Sequence, residues 1–155
     1  MISPEPWDID EGITDPARFF ALVPQLFPDV TLFFAEGTSI TSAAARCYAT
    51  FASPGPYLPH RQTLFPTSKL FRCAATPGLF EALSSLAQGS APPELLDHLA
   101  LYRDDRAVLE WHDAFANAML LDDTVSEQSV AALARAFGCQ YGRARFRKAR
   151  WWKFW

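Results

Sequence analysis

Proline placement constrains this chain more than any other feature. Proline locks its own φ and offers no backbone N–H, so it suits the first turn of a helix and disrupts a helix interior. Asp15-Pro16 and Thr76-Pro77 both read as an N-cap followed by the first helical residue. The helix opened at Pro16 carries Phe19, Leu22, Val23 and Leu26 on one face, with a possible kink at Pro24 and a stop at Pro28. The one opened at Pro77 carries Leu79, Phe80, Leu83, Leu86 and Ala87 and stops at Gly89. Between these helices, Pro54, Pro56, Pro59 and Pro66 argue against regular structure. A loop that long in a compact domain is a natural place for function.

Periodicity fills in the rest. Val30 to Phe34 is a short, continuously apolar, β-prone run, read as a buried strand, and Glu36-Gly37-Thr38-Ser39 reads as the turn after it. Ile40, Ala43, Ala44, Cys47 and Phe51 then follow helical spacing, with Thr38 or Ser39 as the cap. Lys69 to Ala74 reads as a strand. Residues 97–113 alternate as a hairpin turning at 103–106, and Ala118 to Leu121 reads as a third antiparallel strand. Thr124-Val-Ser-Glu127 matches a capping box ahead of a helix with Val130, Leu133, Ala134 and Phe137 on its apolar face. Gly138 ends that helix, and Cys139 to Tyr141 suits an edge strand. The expected fold is α+β: one domain with a mainly antiparallel sheet and about four helices packed mostly on one face. Its expected limits are residues 15–141, with 1–14 an N-terminal extension and 142–155 a tail.

Half the residues are hydrophobic and 14% are aromatic, enough to build a core and to exclude wholesale disorder. Cys47, Cys73 and Cys139 are scattered, and no CxxC pair exists, so the cysteines suit a reducing compartment. The acidic, Pro-broken N-terminus lacks the basic and apolar regions of a signal peptide, and no apolar run is long enough to span a membrane. These readings make a cytoplasmic protein the expectation. Phosphate-binding glycine loops, HExxH, GxSxG and EF-hand patterns are all absent from the sequence, so no cofactor and no metal are expected.

One polar constellation stands out. His98 and His112 occupy the two strands of the hairpin, with Asp97, Glu110 and Asp113 close by and Glu36 at the end of another strand. A two-residue loop at Asp104-Asp105 sets His98 against Trp111 and Asp97 against His112. A three-residue loop sets His98 directly against His112. If the chain is an enzyme, Glu36, His98, Glu110, His112 and Asp113 are its candidate acid–base residues, because a carboxylate beside an imidazole tunes proton transfer. The competing reading is ordinary polar strand ends. The Glu36-Gly37 turn has two readings as well: an anion site on free backbone N–H groups, or a turn and a helix cap. In the Pro-rich loop, Tyr57, His60 and Arg61 are candidate partner contacts.

Net charge is −3, but it is unevenly spread. Residues 142–155 hold six basic side chains and no acid, which leaves eight basic against 17 acidic in the rest. The tail interleaves cations with large aromatics, and Arg147, Arg150, Trp151, Trp152 and Trp155 are its candidate contact residues. It suits an anionic membrane surface, single-stranded nucleic acid, a partner protein or the chain's own acidic body, against the plain reading of a frayed terminus. The acidic body repels phosphates, so no DNA partner is expected.

The segments Leu32-Phe-Phe-Ala-Glu-Gly-Thr-Ser-Ile40 and Leu109-Glu-Trp-His-Asp-Ala-Phe115, with the helix start Ala75-Thr-Pro-Gly-Leu79, resemble a group of small bacterial proteins of unassigned function. The resemblance spans roughly residues 15–141. It implies a bacterial cytoplasmic single domain and brings no chemistry or ligand with it. Three functions follow from the sequence, in order. The first is a non-catalytic protein-binding domain, of the immunity or inhibitor type suggested by size and acidic charge. The second is a small enzyme using the hairpin histidines and carboxylates. The third is a membrane-surface protein held by residues 143–155.

Overall fold

The computed structural model describes residue 2 and residues 5–144. Seven strands form one sheet: β1 (Trp7–Ile9), β2 (Leu32–Gly37), β3 (Lys69–Ala74), β4 (His98–Arg103), β5 (Arg106–Trp111), β6 (Met119–Leu121) and β7 (Tyr141–Arg143). The spatial order is β3-β2-β4-β5-β6-β1-β7, and every neighbouring pair is antiparallel. The helices are α1 (Pro16–Leu26), α2 (Ser42–Thr50), α3 (Pro77–Ala87), the single turn α4 (Pro92–Leu95) and α5 (Glu127–Ala136). This is the α+β architecture that the periodicity predicts.

One sheet face packs on helices. Alternate strand residues (Phe33 and Ala35 on β2, Leu99 and Leu101 on β4, Trp111 on β5) join Phe19, Phe20 and Val23 of α1 and Leu79, Phe80 and Leu83 of α3 in one core. Phe19 lies edge-on to Trp111 at 5.2 Å between ring centroids, and Phe20 edge-on to Phe33 at 6.3 Å. Full burial of each such side chain contributes roughly 1.5–3 kcal/mol, and this face supplies most of the apolar burial. Pro24 stays inside α1 without ending it.

Both cap-plus-proline starts are present. The Asp15 carboxylate accepts from the Arg18 amide at 3.1 Å, and the Thr76 hydroxyl accepts from the Leu79 amide at 3.2 Å. Other boundaries differ from the sequence reading. The strand read as ending at Phe34 continues through Glu36 and Gly37, so the turn begins later and Thr41, not Thr38 or Ser39, caps α2. Ser126, not Thr124, caps α5, because the Thr124 amide and hydroxyl both bond to Asp122. The segment 1–14 is more than an extension: Trp7–Ile9 is a strand held between β6 and β7. The last strand lies two residues later than expected, at Tyr141–Arg143.

The hairpin combines both sequence alternatives. Its turn has two residues, with Asp104 left-handed at φ 55°, a conformation Asp tolerates. Tyr102 faces Ala107, but Leu101 faces Leu109, so Val108 is an extra residue forming a β-bulge. Beyond the bulge Leu99 faces Trp111, which brings His98 level with His112.

Candidate functional site

The other sheet face carries the polar constellation. Period-two alternation puts Glu36, His98 and His112 in one row across β2, β4 and the end of β5, beside a second row of Phe34, Ala100 and Glu110. The loop from Ser53 to Ser68 lies over these rows. Tyr57 stands edge-on to Phe34 at 5.0 Å, and Phe34 is edge-on to Tyr102 at 5.2 Å. Between loop and sheet is a cavity of about 220 Å³, lined among others by Glu36, Tyr57, His60, His98, Glu110 and His112.

Four of the five candidate acid–base residues therefore line one cavity, but they do not play equal parts. Glu36 is fully buried, and its carboxylate accepts from the Gln62 amide (2.9 Å), the Thr63 amide (2.7 Å) and the Ser68 hydroxyl (2.8 Å). Burial alone raises the pKa of this group. The two loop amides, the Ser68 hydroxyl and nearby His98 outweigh burial and hold it below the ordinary carboxyl value. Glu36 is thus an anionic clamp that fixes the far end of the loop to the sheet.

His98 is also engaged at both ring nitrogens. Nδ1 accepts from the Asp113 amide at 2.9 Å, so in the neutral ring the proton sits on Nε2, 3.1 Å from the Thr63 hydroxyl. Asp113 makes this possible with a left-handed backbone at φ 47° that turns its amide toward the imidazole. Its carboxylate is exposed and accepts from Asn117 Nδ2 at 3.1 Å, so Asp113 positions His98 through the backbone and does not line the cavity. Asp97 turns away from His112. Its carboxylate takes the Thr38 amide at 2.8 Å and the Thr38 hydroxyl at 3.1 Å. Just past the end of β2, Thr38 thus gives its amide and hydroxyl to the protein's own Asp97 carboxylate.

Glu110 and His112 differ from this engaged pair. Among the described residues the Glu110 carboxylate makes no hydrogen bond or ion pair, and His112 makes no hydrogen bond and lies edge-on to the His98 ring, 5.8 Å away between centroids. Burial and then Glu110 push the Tyr102 phenol up to about 12, and burial, Glu36 and Tyr102 raise Tyr57 further, so both stay protonated at neutral pH. Among the described residues no group of three or more His, Cys, Asp or Glu is placed to hold a metal ion.

The loop contacts expected from sequence divide in a similar way. Tyr57 and His60 line the cavity, while Arg61 Nη1 donates to the Ser68 carbonyl (2.9 Å) and hydroxyl (3.1 Å). Two residues that the sequence reading passed over are the most exposed apolar groups described. Leu64 is 79% exposed and Phe65 is 92% exposed, at the tip held up by the Glu36 clamp. The signal was present as an apolar Leu-Phe pair inside a Pro-rich, otherwise polar stretch. Arg147, Arg150, Trp151, Trp152 and Trp155 lie outside the described residues. Arg143, at the base of that tail, sits 3.5 Å over the Trp7 ring and donates to the Glu5 carbonyl at 3.0 Å. No helix among the described residues is long and apolar enough to cross a membrane.

No protein-family model, curated protein or solved structure matches this chain.

Proposed function

We propose that this chain is a non-catalytic protein-binding domain of the inhibitor type, acting in the bacterial cytoplasm, and that the Leu64–Phe65 tip is its main contact. The observation that carries this reading is the exposure of two adjacent large apolar side chains on a loop whose base is rigidly fixed. Exposed apolar groups are costly in water, and rigid aromatic and aliphatic anchors are the residues that dominate protein interfaces. A clamped loop also loses little conformational entropy on binding.

Charge refines the expected partner. The acidic body alone suggests a basic partner. Yet residues 37–80 contain no Asp or Glu, and Arg61 and Lys69 flank the tip. The contact therefore suits an apolar socket with an acidic rim. The enzyme alternative has less support, because Glu36 spends its polar atoms on holding the loop and His98 divides its two ring nitrogens between the loop and the Asp113 amide. Glu110 and His112 lack the fixed orienting partner that a general base needs.

The test is a pull-down from native lysate with the full chain and the double variant Leu64→Ser/Phe65→Ser, read by mass spectrometry. A stoichiometric protein retained by the wild type and lost by the variant is the expected result, with both proteins melting at the same temperature. Equal recovery by both, or no protein above background, overturns the reading.

A further inference from the structure

We propose that the cavity on the open sheet face binds a compact organic cation, an ammonium or guanidinium held by Glu110 against the aromatic wall of Tyr57 and Tyr102. This site is separate from the Leu64–Phe65 tip and does not depend on the tip's role.

The wall composition carries the inference. Two carboxylates, Glu36 and Glu110, line the cavity, while no Lys or Arg does. Glu36 has its acceptors occupied by the loop, so the charge left for a ligand is that of Glu110, which has no hydrogen bond or ion pair among the described residues. Tyr102 is only 3% exposed, lines the cavity, and makes no hydrogen bond through its hydroxyl within the described residues. Both phenols stay neutral, so each offers a hydroxyl that can accept or donate, and π-electron density, rather than charge. His98 offers no free donor, since both of its ring nitrogens are engaged.

The cavity therefore presents one unengaged carboxylate, two neutral phenols, the His60 and His112 rings and no cationic Lys or Arg. An anion entering it meets two carboxylates at close range in a partly desolvated space, where repulsion is strong. A cation gains the carboxylate and the aromatic rings together. A volume of about 220 Å³ holds a small cation or one side-chain head group, not a nucleotide. A free metabolite and an arginine side chain of a partner offer the same guanidinium, and the experiment separates them.

The full-length protein is titrated by calorimetry with agmatine, with choline and with a capped arginine dipeptide, and separately with inorganic phosphate and acetate. The expected result is one saturable site for at least one of the cations, weakened about tenfold or more by Glu110→Gln. Stronger binding of agmatine or choline assigns the site to a free cation, and stronger binding of the dipeptide assigns it to a partner's arginine. Glu110→Gln keeps the shape of the side chain, and an unchanged melting temperature shows that the fold is kept. Tyr102→Phe, which removes the hydroxyl alone, provides a second measurement and is expected to weaken binding by a smaller factor. The proposal is overturned if no cation binds through the millimolar range, if Glu110→Gln leaves cation binding unchanged, or if phosphate or acetate binds better.

Discussion

The two faces of the sheet are built from the same strands by opposite means. On the helix-covered face, Phe19, Phe33, Leu101 and Trp111 fill space with apolar volume and ask for no specific partner. On the open face, Glu36 and His98 hold a proline-rich loop by individually directed hydrogen bonds. The first kind of packing tolerates approximate shape as long as volume is kept. The second fails in discrete steps, because each buried donor or acceptor left alone carries its own penalty. The difference assigns stability to one face and the precise placing of exposed groups to the other.

Four variants press on that division. Trp111→Ala on the helix face should cost the most, about 3–5 kcal/mol in urea unfolding, through the cavity it opens beside Phe19 and Phe115. A cost near that of a surface substitution would break the division. Glu36→Gln should cost less, about 2–3 kcal/mol, since it removes the charge from three hydrogen bonds while keeping the side chain's size. Its signature should be local as well. Limited proteolysis should cut between Ser53 and Ser68 far sooner than in the wild type, whereas Trp111→Ala should loosen the whole chain.

Acid should reproduce the Glu36 effect. The folded Glu36 carboxyl titrates below its ordinary value of 4.5. The unfolded chain therefore binds the proton first as pH falls. The stabilisation is complete above about 4.5 and is lost as pH drops through the lower folded value. Thermal melts over this acid range should fall more steeply for the wild type than for Glu36→Gln, and parallel curves would remove Glu36 from the account. Next in size, His98→Phe should cost about 1 kcal/mol, because both freed partners, the Asp113 amide and the Thr63 hydroxyl, sit near solvent. Leu64→Ser/Phe65→Ser should change unfolding stability least, by no more than about 0.5 kcal/mol, since those side chains touch solvent.

The helix-covered face was the more legible of the two in the sequence. Periodicity names its residues directly: Phe19 and Val23 on α1, Leu79, Phe80 and Leu83 on α3, Val130 and Leu133 on α5. The open face was half legible. Glu36, His98, Glu110 and His112 could be nominated because alternation groups polar residues on one side of neighbouring strands. Their division of labour could not, because the partners that engage Glu36 and His98 include main-chain amides of Gln62, Thr63 and Asp113, and amides leave no mark in a sequence. β1 was missed for a related reason. Trp7-Asp8-Ile9 is three residues long, follows prolines, and is a strand only through pairing with segments more than a hundred residues away.

The single extra residue at Val108 acts on strand β5 as a frameshift acts on a reading frame. Val108 and Leu109 both belong to the helix-side core, although they are neighbours in sequence, and every position after them is displaced by one phase. Without that displacement the alternation that places Ala107 outward would turn Trp111 outward too and drive Glu110 and His112 into the apolar core. Removing Val108 or Leu109 would instead restore plain alternation, with Ala107, Glu110 and His112 still outward and Trp111 still inward. The doubled inward position, Val108 with Leu109, thus reconciles an outward Ala107 with an outward Glu110 three residues on, and the open-face cavity depends on it.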